Sequence, residues 1–374
     1  MKITDVETIM LRLPEVRRIG DGCQSVLIIR IHTDSGIIGI GEAHTNPLVS
    51  KAIIDAPLCS VSAEGLRSLL LGEDPRDISR LWDKMYRATQ TYGRRGALMH
   101  ALSGIDIALW DILGKVAGLP VHQLLGGRRR DAVTAYASDL SRDSVEETVE
   151  VARGHVARGY KAMKFGWGGL GDNPRSDVKA VAAIRAAIGD EADLMIDMGF
   201  AVPLDHALYL ARGCADAGVY FLEEPLSPDD LSGFERLVQL SPVAIATGEK
   251  ESTQYPYLEL MARGLRIIQP DVARVGGISE AMRIVTHAEA RNVDVIPHCW
   301  STDILVAATL QVLATQRRAP FLEYNATDNP LRTDLLVDPI RPDGNGRIAI
   351  SDKPGLGIEL NEDTIERYRW QADA

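Results

Sequence analysis

The segments LMID at residues 194–197, FLEE at 221–224 and AIATGE at 244–249 decide the fold. Each is a short apolar run that closes on an acidic residue, and the acids of consecutive segments lie 26 residues apart. That spacing accommodates one strand, one helix and their loops. Repeated units of this kind predict parallel strands connected by helices.

The same pattern continues on both sides of these segments. Short apolar runs alternate with amphipathic helical patterns from residue 130 onward, and eight runs over about 200 residues predict a (β/α) barrel. The predicted strands are Ala132–Ala137, Ala162–Phe165, Leu194–Ile196, Val219–Leu222, Val243–Ala246, Ile267–Ile268, Val293–Ile296 and Phe321–Leu322. A doubly wound open sheet is the competing architecture, but eight strands are many for such a sheet.

The first third of the chain has a different pattern. Residues 1–45 predict an antiparallel meander with strands at Val26–His32 and Ile37–Gly41, and Arg94–Val116 is the clearest of several helices that follow. We therefore predict an N-terminal α+β domain at 1–128, a barrel at 129–335, and a C-terminal segment at 336–374 that packs back on the first domain.

Composition excludes several classes of function. Lys and Arg number 41 against 52 Asp and Glu, for a net charge of −11, which disfavours binding to nucleic acid or anionic membranes. The four cysteines lie far apart without a CxxC pair, so neither a zinc site nor a disulfide framework is indicated. We see neither a signal peptide nor an apolar run near the roughly 18 residues of a membrane span. A cytoplasmic protein, and a homo-oligomer, are expected.

Seven consecutive predicted strands each end in an ionisable residue. The carboxyl ends of the strands of a barrel meet at one mouth, where enzymes of this architecture keep their active sites. A single polar residue after a strand is often a cap, but seven in register are hard to explain that way. They are Lys164, Asp197, Glu223, Glu249, Asp271, His298 and Glu323.

Asp197, Glu223 and Glu249 come from three adjacent strands and would repel each other if brought together. A divalent cation resolves that repulsion, and ligands that are all oxygen favour Mg²⁺ first and Mn²⁺ second. Glu224 is a less suitable ligand, since neighbouring side chains of a strand point to opposite faces. We expect it to make an ion pair or hydrogen bond instead.

Asp271 and His298 follow neighbouring strands. A carboxylate beside an imidazole fixes its tautomer and raises its basicity, which suits a general base. Lys164 could balance the charge of the metal-site carboxylates or bind a substrate carboxylate. Glu323 could orient the substrate or donate a hydrogen bond when protonated.

These features resemble the mandelate racemase branch of the enolase superfamily, over the whole chain. No single motif is specific, but the set is. It consists of Gly-Ile-Asp-Ile-Ala-Leu-Trp-Asp at 104–111, Leu-Leu-Gly-Gly at 124–127, Glu-Glu-Pro at 223–225, Gly-Glu at 248–249, Pro-Asp at 270–271 and Gly-Gly at 276–277.

The resemblance implies a modified (β/α)7β barrel whose mouth is covered by the α+β domain, hereafter the capping domain. It implies Asp197, Glu223 and Glu249 as Mg²⁺ ligands and His298 with Asp271 as a catalytic dyad. It places Glu323 opposite the substrate carboxylate. Enzymes of this superfamily use a Lys or His base with Mg²⁺.

Two departures from the family pattern bear on the reaction. The second lysine of the family's Lys-x-Lys motif is Gly166 here, and the Asn or His of its Asp-x-Asn motif is Gly199. Glycine cannot move a proton, so one strong base, His298, remains. A single base favours dehydration of an acid sugar, in which His298 removes the proton next to the carboxylate and the β-hydroxyl leaves.

Other functions remain open. Cycloisomerisation of a lactone or anhydro sugar is compatible with one base, whereas racemisation or epimerisation needs a proton carrier on each face. Other metal-assisted barrel chemistry and a non-catalytic sugar-acid binding protein are the hypotheses outside this class. The partner expected is a small carboxylate, and the candidate substrate-binding residues are His44, Tyr92, Arg94, Trp167 and Trp300.

Overall fold

An antiparallel meander opens the chain, in a computed structural model that describes residues 1–199 and 201–371. Its strands are β1 (Ile3–Arg12), β2 (Ser25–Thr33) and β3 (Ile38–Ala43), paired in the order β1-β2-β3. The turn between β2 and β3 contains Gly36 at φ +81°, a conformation that favours glycine. Both strands predicted here are present.

Five helices complete the capping domain: α1 (Pro47–Asp55), α2 (Leu66–Leu70), α3 (Ile78–Thr89), α4 (Ala97–Ala117) and α5 (Val121–Leu124). Helix α4 lies directly against β3, where a Cβ on Gly41 would sit 1.9 Å from the Gly104 carbonyl oxygen. Glycine on both elements therefore permits this close packing.

Helix α4 is also long and apolar enough to cross a membrane, contrary to our expectation that no segment would be. In the folded chain, 78% of its apolar window is buried inside the molecule. Its apolar residues pack against the meander and the barrel, so the composition of α4 reflects its place in the core.

The remainder of the chain builds the barrel as seven β/α units and a final strand. Its strands are β4 (Ala132–Leu140), β5 (Ala162–Gly166), β6 (Asp193–Asp197), β7 (Val219–Glu223), β8 (Ala244–Thr247), β9 (Ile267–Ile268), β10 (Asp294–Val295) and β11 (Leu322–Asn325). The helices between them are α6 (Val145–Ala157), α7 (Pro174–Ile188), α8 (Leu204–Asp216), α9 (Leu231–Leu240), α10 (Gln254–Ala262), α11 (Gly277–Glu289) and α12 (Asp303–Thr315). All eight predicted strands are present, and the predicted barrel with its α+β domain is confirmed.

Parallel pairing in the order β10-β9-β8-β7-β6-β5-β4-β11 sets which residues meet at the mouth. Gly166 of β5 lies opposite Asp197 of β6, which lies opposite Glu223 of β7. The interior below them is filled by side chains of six strands and of the residues that adjoin β10 and β11. They are Tyr136, Ala162, Met195, Phe221, Ala246, Ile267, Ile296 and Phe321.

The C-terminal segment contacts both domains. A short helix, α13 (Pro330–Thr333), precedes this segment. The segment carries β12 (Arg347–Ala349), which pairs antiparallel with β4 of the barrel, and α14 (Glu362–Tyr368). Trp370 donates its backbone N–H to the Met10 carbonyl at 2.8 Å, on β1 of the capping domain. The boundaries at 128 and 335 stay predictions, and residues 372–374 lie outside the described residues.

Helix α4 also docks on the start of α11, and this contact is here called the seam. Asp106 accepts hydrogen bonds from the backbone N–H of Ser279 at 2.9 Å and from its hydroxyl at 2.6 Å. Trp110 donates its indole N–H to the same hydroxyl at 2.9 Å. Burial raises the pKa of Asp106 to about 7. The first domain is thus held to the barrel by a buried polar network.

Candidate active site

Three buried carboxylates from adjacent strands meet at the barrel mouth. Asp197, Glu223 and Glu249 each offer an oxygen within 4.8 Å of the others. Burial, followed by the charge of Asp197, raises the pKa of Glu223. Among the described residues nothing donates a hydrogen bond to the buried Glu249 Oε2. An orphaned buried oxygen in a group of mutually repelling carboxylates fits a divalent cation bound by oxygen ligands.

Lys164 lies beside this group. Its Nζ donates to both carboxylate oxygens of Glu223 at 2.9 and 2.8 Å, lies 3.3 Å from Asp197 Oδ2, and lies 2.8 Å from Glu323 Oε1. Burial alone would lower the pKa of Lys164, but Glu223 and Glu323 outweigh burial and raise it. The ammonium therefore remains charged.

Glu323, at the end of the last strand, connects the lysine to the opposite wall. Its Oε1 also accepts from the Ser138 hydroxyl at 2.7 Å, and its Oε2 accepts from the backbone N–H of Cys299 at 2.7 Å. Burial would raise the pKa of Glu323, but Lys164 and then His298 lower it to about 2. The side chain is thus an oriented carboxylate.

His298 and Asp271 form a hydrogen-bonded pair on the other side of the mouth. His298 Nδ1 lies 2.8 Å from Asp271 Oδ2, while His298 Nε2 lies 3.4 Å from Glu249 Oε2. Burial would lower the pKa of His298, but Glu249 and Glu323 outweigh it and raise the pKa. Burial would likewise raise the pKa of Asp271, but His44, His298 and Arg274 hold it well below its usual value.

Glu224 has the role expected of it, separate from the three carboxylates. Its φ of 46° turns the chain directly after β7, and its carboxylate accepts from the Thr247 hydroxyl at 3.0 Å and pairs with Lys250. The ammonium of Lys250 also lies 5.5 Å from the centroid of the Trp167 ring. Glu224 thereby fixes a second cation near the mouth.

One cavity of about 410 Å³ is lined by most of these groups, but not by Glu223, Glu224 or Asp271. Of the five candidate substrate-binding residues, His44, Trp167 and Trp300 line it, while Tyr92 and Arg94 do not. The Tyr92 hydroxyl instead donates to the Glu64 carbonyl at 2.7 Å, within the capping domain. Lining the cavity are residues 19–22 and His44 of the capping domain and Ser138, Asp139, Leu140, Lys164, Gly166, Trp167, Asp197, Glu249, Lys250, Arg274, His298, Trp300 and Glu323 of the barrel.

The two glycines that depart from the family pattern have a steric reason. A Cβ on Gly166 would lie 2.2 Å from the Asp197 carbonyl oxygen and 2.6 Å from its Cβ. Gly199 has φ +64°, and a Cβ there would lie 2.8 Å from the Trp167 ring. A side chain at either position would displace a cavity wall, so a second base does not fit at Gly166.

Sequence reasoning missed four polar cavity residues of the barrel. Ser138 and Asp139 directly follow the predicted strand Ala132–Ala137, so the strand-end pattern that found the other seven would also have found them. Arg274 and Lys250 lie in loops, and only the folded loops bring Arg274 to 3.4 Å from Asp271 Oδ2. No local signal in the sequence distinguishes these two cations.

Family models match most of the chain. The model described as the Mandelate racemase / muconate lactonizing enzyme N-terminal domain matches residues 7–126, and the one described as Enolase C-terminal domain-like matches residues 147–364. These matches correspond to the capping domain and to the barrel with most of the C-terminal segment.

Individual relatives align over nearly their whole length. The chain is 34% identical to D-galactarolactone cycloisomerase of Agrobacterium fabrum, covering 92% of this chain and 91% of the relative. It is 32% identical to arabinonate dehydratase of Saccharolobus solfataricus, covering 96% and 94%. The crystal structure of 3,6-anhydro-D-galactonate cycloisomerase from Zobellia galactanivorans superposes with a TM-score of 0.90 at 34% identity, covering 99% of this chain and 100% of that one. The chain belongs to the mandelate racemase / muconate lactonizing enzyme family of the enolase superfamily, whose enzymes use a divalent metal ion.

Proposed function

We propose that this chain is a Mg²⁺-dependent acid-sugar dehydratase that removes the proton next to the substrate carboxylate and eliminates water. One observation carries the proposal: His298 of the His–Asp pair lines the same cavity as Asp197 and Glu249 of the three-carboxylate group, and no second base fits at Gly166. The names of the relatives support the substrate class, since they act on acid sugars or their lactone and anhydro forms.

Asp197, Glu223 and Glu249 would hold the ion, and their all-oxygen set supports Mg²⁺, with Mn²⁺ as the second choice. When bound, the ion supplies positive charge that stabilises the negative charge developing on the substrate carboxylate. Lys164 contributes a second positive charge at the same end of the cavity. Its contacts with three carboxylates suit electrostatic stabilisation and not proton removal.

His298 is the proposed base. Its Nδ1 is bonded to Asp271, so Nε2 is the nitrogen that carries the reactive lone pair. His298 Nε2 accepts the α-proton as the carbon–carbon double bond begins to form. The protonated imidazole then returns a proton to the β-hydroxyl, the carbon–oxygen bond breaks, and water leaves. The resulting enol becomes a 2-keto-3-deoxy acid.

Cycloisomerisation is the second candidate, favoured by the two cycloisomerases among the relatives. It would use the same His298 proton transfer but move a ring oxygen instead of expelling water. Racemisation or epimerisation has less support, since the position of the family's second lysine is Gly166. A sugar-acid binding protein would not need the oriented His–Asp pair.

Product analysis on a panel of mono- and diacid sugars, lactones and anhydro sugars separates these functions. With Mg²⁺ in D₂O, a dehydratase gives an α-keto acid with deuterium at C3, seen by NMR. A cycloisomerase gives an isomer of unchanged mass apart from deuterium, and a racemase returns α-deuterated substrate. Glu223→Gln is the control that should suppress each reaction. Binding without any proton exchange across the panel would overturn the proposal.

A further inference from the structure

His44 of the capping domain reaches the same carboxylate oxygen as the proposed base. His44 Nδ1 lies 2.8 Å from Asp271 Oδ2, and His298 Nδ1 lies 2.8 Å from that oxygen as well. The two imidazole rings lie nearly parallel, with centroids 5.6 Å apart and planes 11° apart. All three side chains are buried.

We propose that His44 is a positioning residue, which the capping domain inserts to hold Asp271 and, through it, the base His298. The inference rests on the proposed function, because it assigns His298 as the group that takes the α-proton. It replaces our prediction from sequence that His44 binds the substrate.

The contacts of His44 determine its tautomer. Arg274 Nη2 lies 3.2 Å from His44 Nε2, and a guanidinium can only donate. His44 Nε2 therefore accepts, and Nδ1 carries the hydrogen that is donated to Asp271. Burial and then Arg274 lower the pKa of His44 to about 4, in agreement with a neutral ring. Both ring nitrogens are occupied, which leaves neither for a substrate hydroxyl.

The same contacts fix Asp271 from three directions. Its Oδ2 accepts from both histidines, and its Oδ1 accepts from the backbone N–H of Ala273 at 2.7 Å. Without His44, one donor to Oδ2 is lost and the carboxylate can rotate about its side-chain bonds. The direction of the His298 Nδ1 bond would then be less well defined, and so would the direction of Nε2. Loss of a partner that orients a metal ligand reduces activity by about 10–100-fold, and we expect the same range for a partner that orients the base.

Hydrogen bonds of the His44 backbone join it to the barrel loop that carries Asp271. The His44 N–H donates to the Ala273 carbonyl at 3.4 Å, and Arg274 Nε donates to the His44 carbonyl at 3.3 Å. His44 directly follows β3, whose position is set by the packing of the capping domain. Correct docking of the capping domain and correct orientation of the base are therefore coupled.

Three substitutions separate positioning from substrate binding. His44→Leu should lower kcat by about 10–100-fold, with KM and Mg²⁺ affinity little changed. His44→Asn places an amide N–H near the position of Nδ1 and should restore most of kcat, whereas His44→Gln places it near Nε2 and should not. His32→Leu is the matched control, since His32 pairs with Glu7 inside the meander at 3.0 Å; it should leave kcat unchanged.

A higher KM with unchanged kcat in His44→Leu would assign substrate binding, and wild-type kinetics would assign no role; either overturns the proposal. ¹⁵N NMR of the histidine rings gives a readout that needs no turnover. The Nδ1–H signal of His298 should shift or broaden in His44→Leu but not in His32→Leu. If the wild type turns over no acid sugar, the proposed function fails, while the NMR comparison still tests whether His44 holds the Asp271–His298 pair.

Discussion

Two fully buried aspartates, Asp271 at the barrel mouth and Asp106 at the seam, behave in opposite ways. Two imidazoles and a guanidinium surround Asp271 and hold its pKa well below the usual value. Asp106 is bonded mainly to a serine, so burial dominates and raises its pKa to about 7. Burial is common to both, and the charges and hydrogen-bond donors around each carboxylate decide which of them is ionised.

This contrast divides the molecule by role. Burying charged groups costs free energy. We infer that the mouth nevertheless holds them because they act on a substrate. The seam holds polar groups that join two domains and carry no reactive charge at low pH. Changes at the mouth should therefore remove activity and keep the fold, whereas changes at the seam should alter stability and keep activity.

Removal of the metal ion should have the largest effect at the mouth. EDTA should abolish turnover and Mg²⁺ should restore it. Glu223→Gln should weaken Mg²⁺ binding by at least about 10-fold, measured by titration calorimetry. The neighbouring Glu224→Gln is the matched control and should bind Mg²⁺ nearly normally, since Glu224 contacts Thr247 and Lys250 instead. Full activity in EDTA would refute the metal assignment.

Loss of the proposed base should have the second-largest effect. His298→Asn cannot accept the α-proton, so kcat should fall by about 10²–10⁴-fold, the usual contribution of a general base. Asp271→Asn should also be severe, because an amide favours the wrong imidazole tautomer. Both variants should keep Mg²⁺ affinity and melting temperature close to wild type.

The decisive measurement is exchange of the substrate α-hydrogen in D₂O, followed by NMR. His298→Asn should slow it as much as it slows turnover. Exchange at the wild-type rate would show that another residue is the base, with Lys164 the first to examine, and would reopen racemisation as a candidate.

The sequence predicts most of the barrel, because its signals are local. The helix predicted at Arg94–Val116 is α4 at Ala97–Ala117, and each predicted apolar run became a strand. Strand β12 was not anticipated, because three residues in a polar tail carry no periodicity. They form a strand only by pairing with the first three residues of β4 in the folded chain. Residue composition also gave no means of distinguishing α4 from a membrane span without its packing partners.

The seven residues named from strand ends all lie at the mouth, and five of them line the cavity, whereas Glu223 and Asp271 do not. The regular spacing of the β/α units shows where each strand ends, so these seven residues could be predicted from the sequence. The roles of His44 and Arg274 could not be predicted, because they depend on how the capping domain docks on a barrel loop. Tyr92 and Arg94 were wrongly expected at the cavity, because the sequence around them does not show which way their side chains point.

The smallest effect should come from Asp106→Asn, which tests the seam half of the comparison. In the folded chain the pKa of Asp106 is about 7, above its ordinary value of 3.8. The protonated carboxyl therefore stabilises the fold fully below about pH 4, and this contribution is lost as pH rises through 7. Asparagine resembles the protonated acid and does not titrate. The free energy of unfolding of wild type relative to Asp106→Asn should thus decrease from pH 5 to pH 8, by at most about 1.4 kcal/mol per pH unit.

Urea unfolding of both proteins at pH 5, 6, 7 and 8 measures this difference, and kcat should remain within about twofold, because Asp106 touches no cavity residue in the described part of the chain. A difference that is constant with pH would mean that Asp106 does not titrate in this range. A difference of the opposite sign, with wild type gaining stability as pH rises, would mean that Asp106 is held ionised as Asp271 is. The seam and the mouth would then obey the same electrostatics, and the division of roles drawn from their contrast would be wrong.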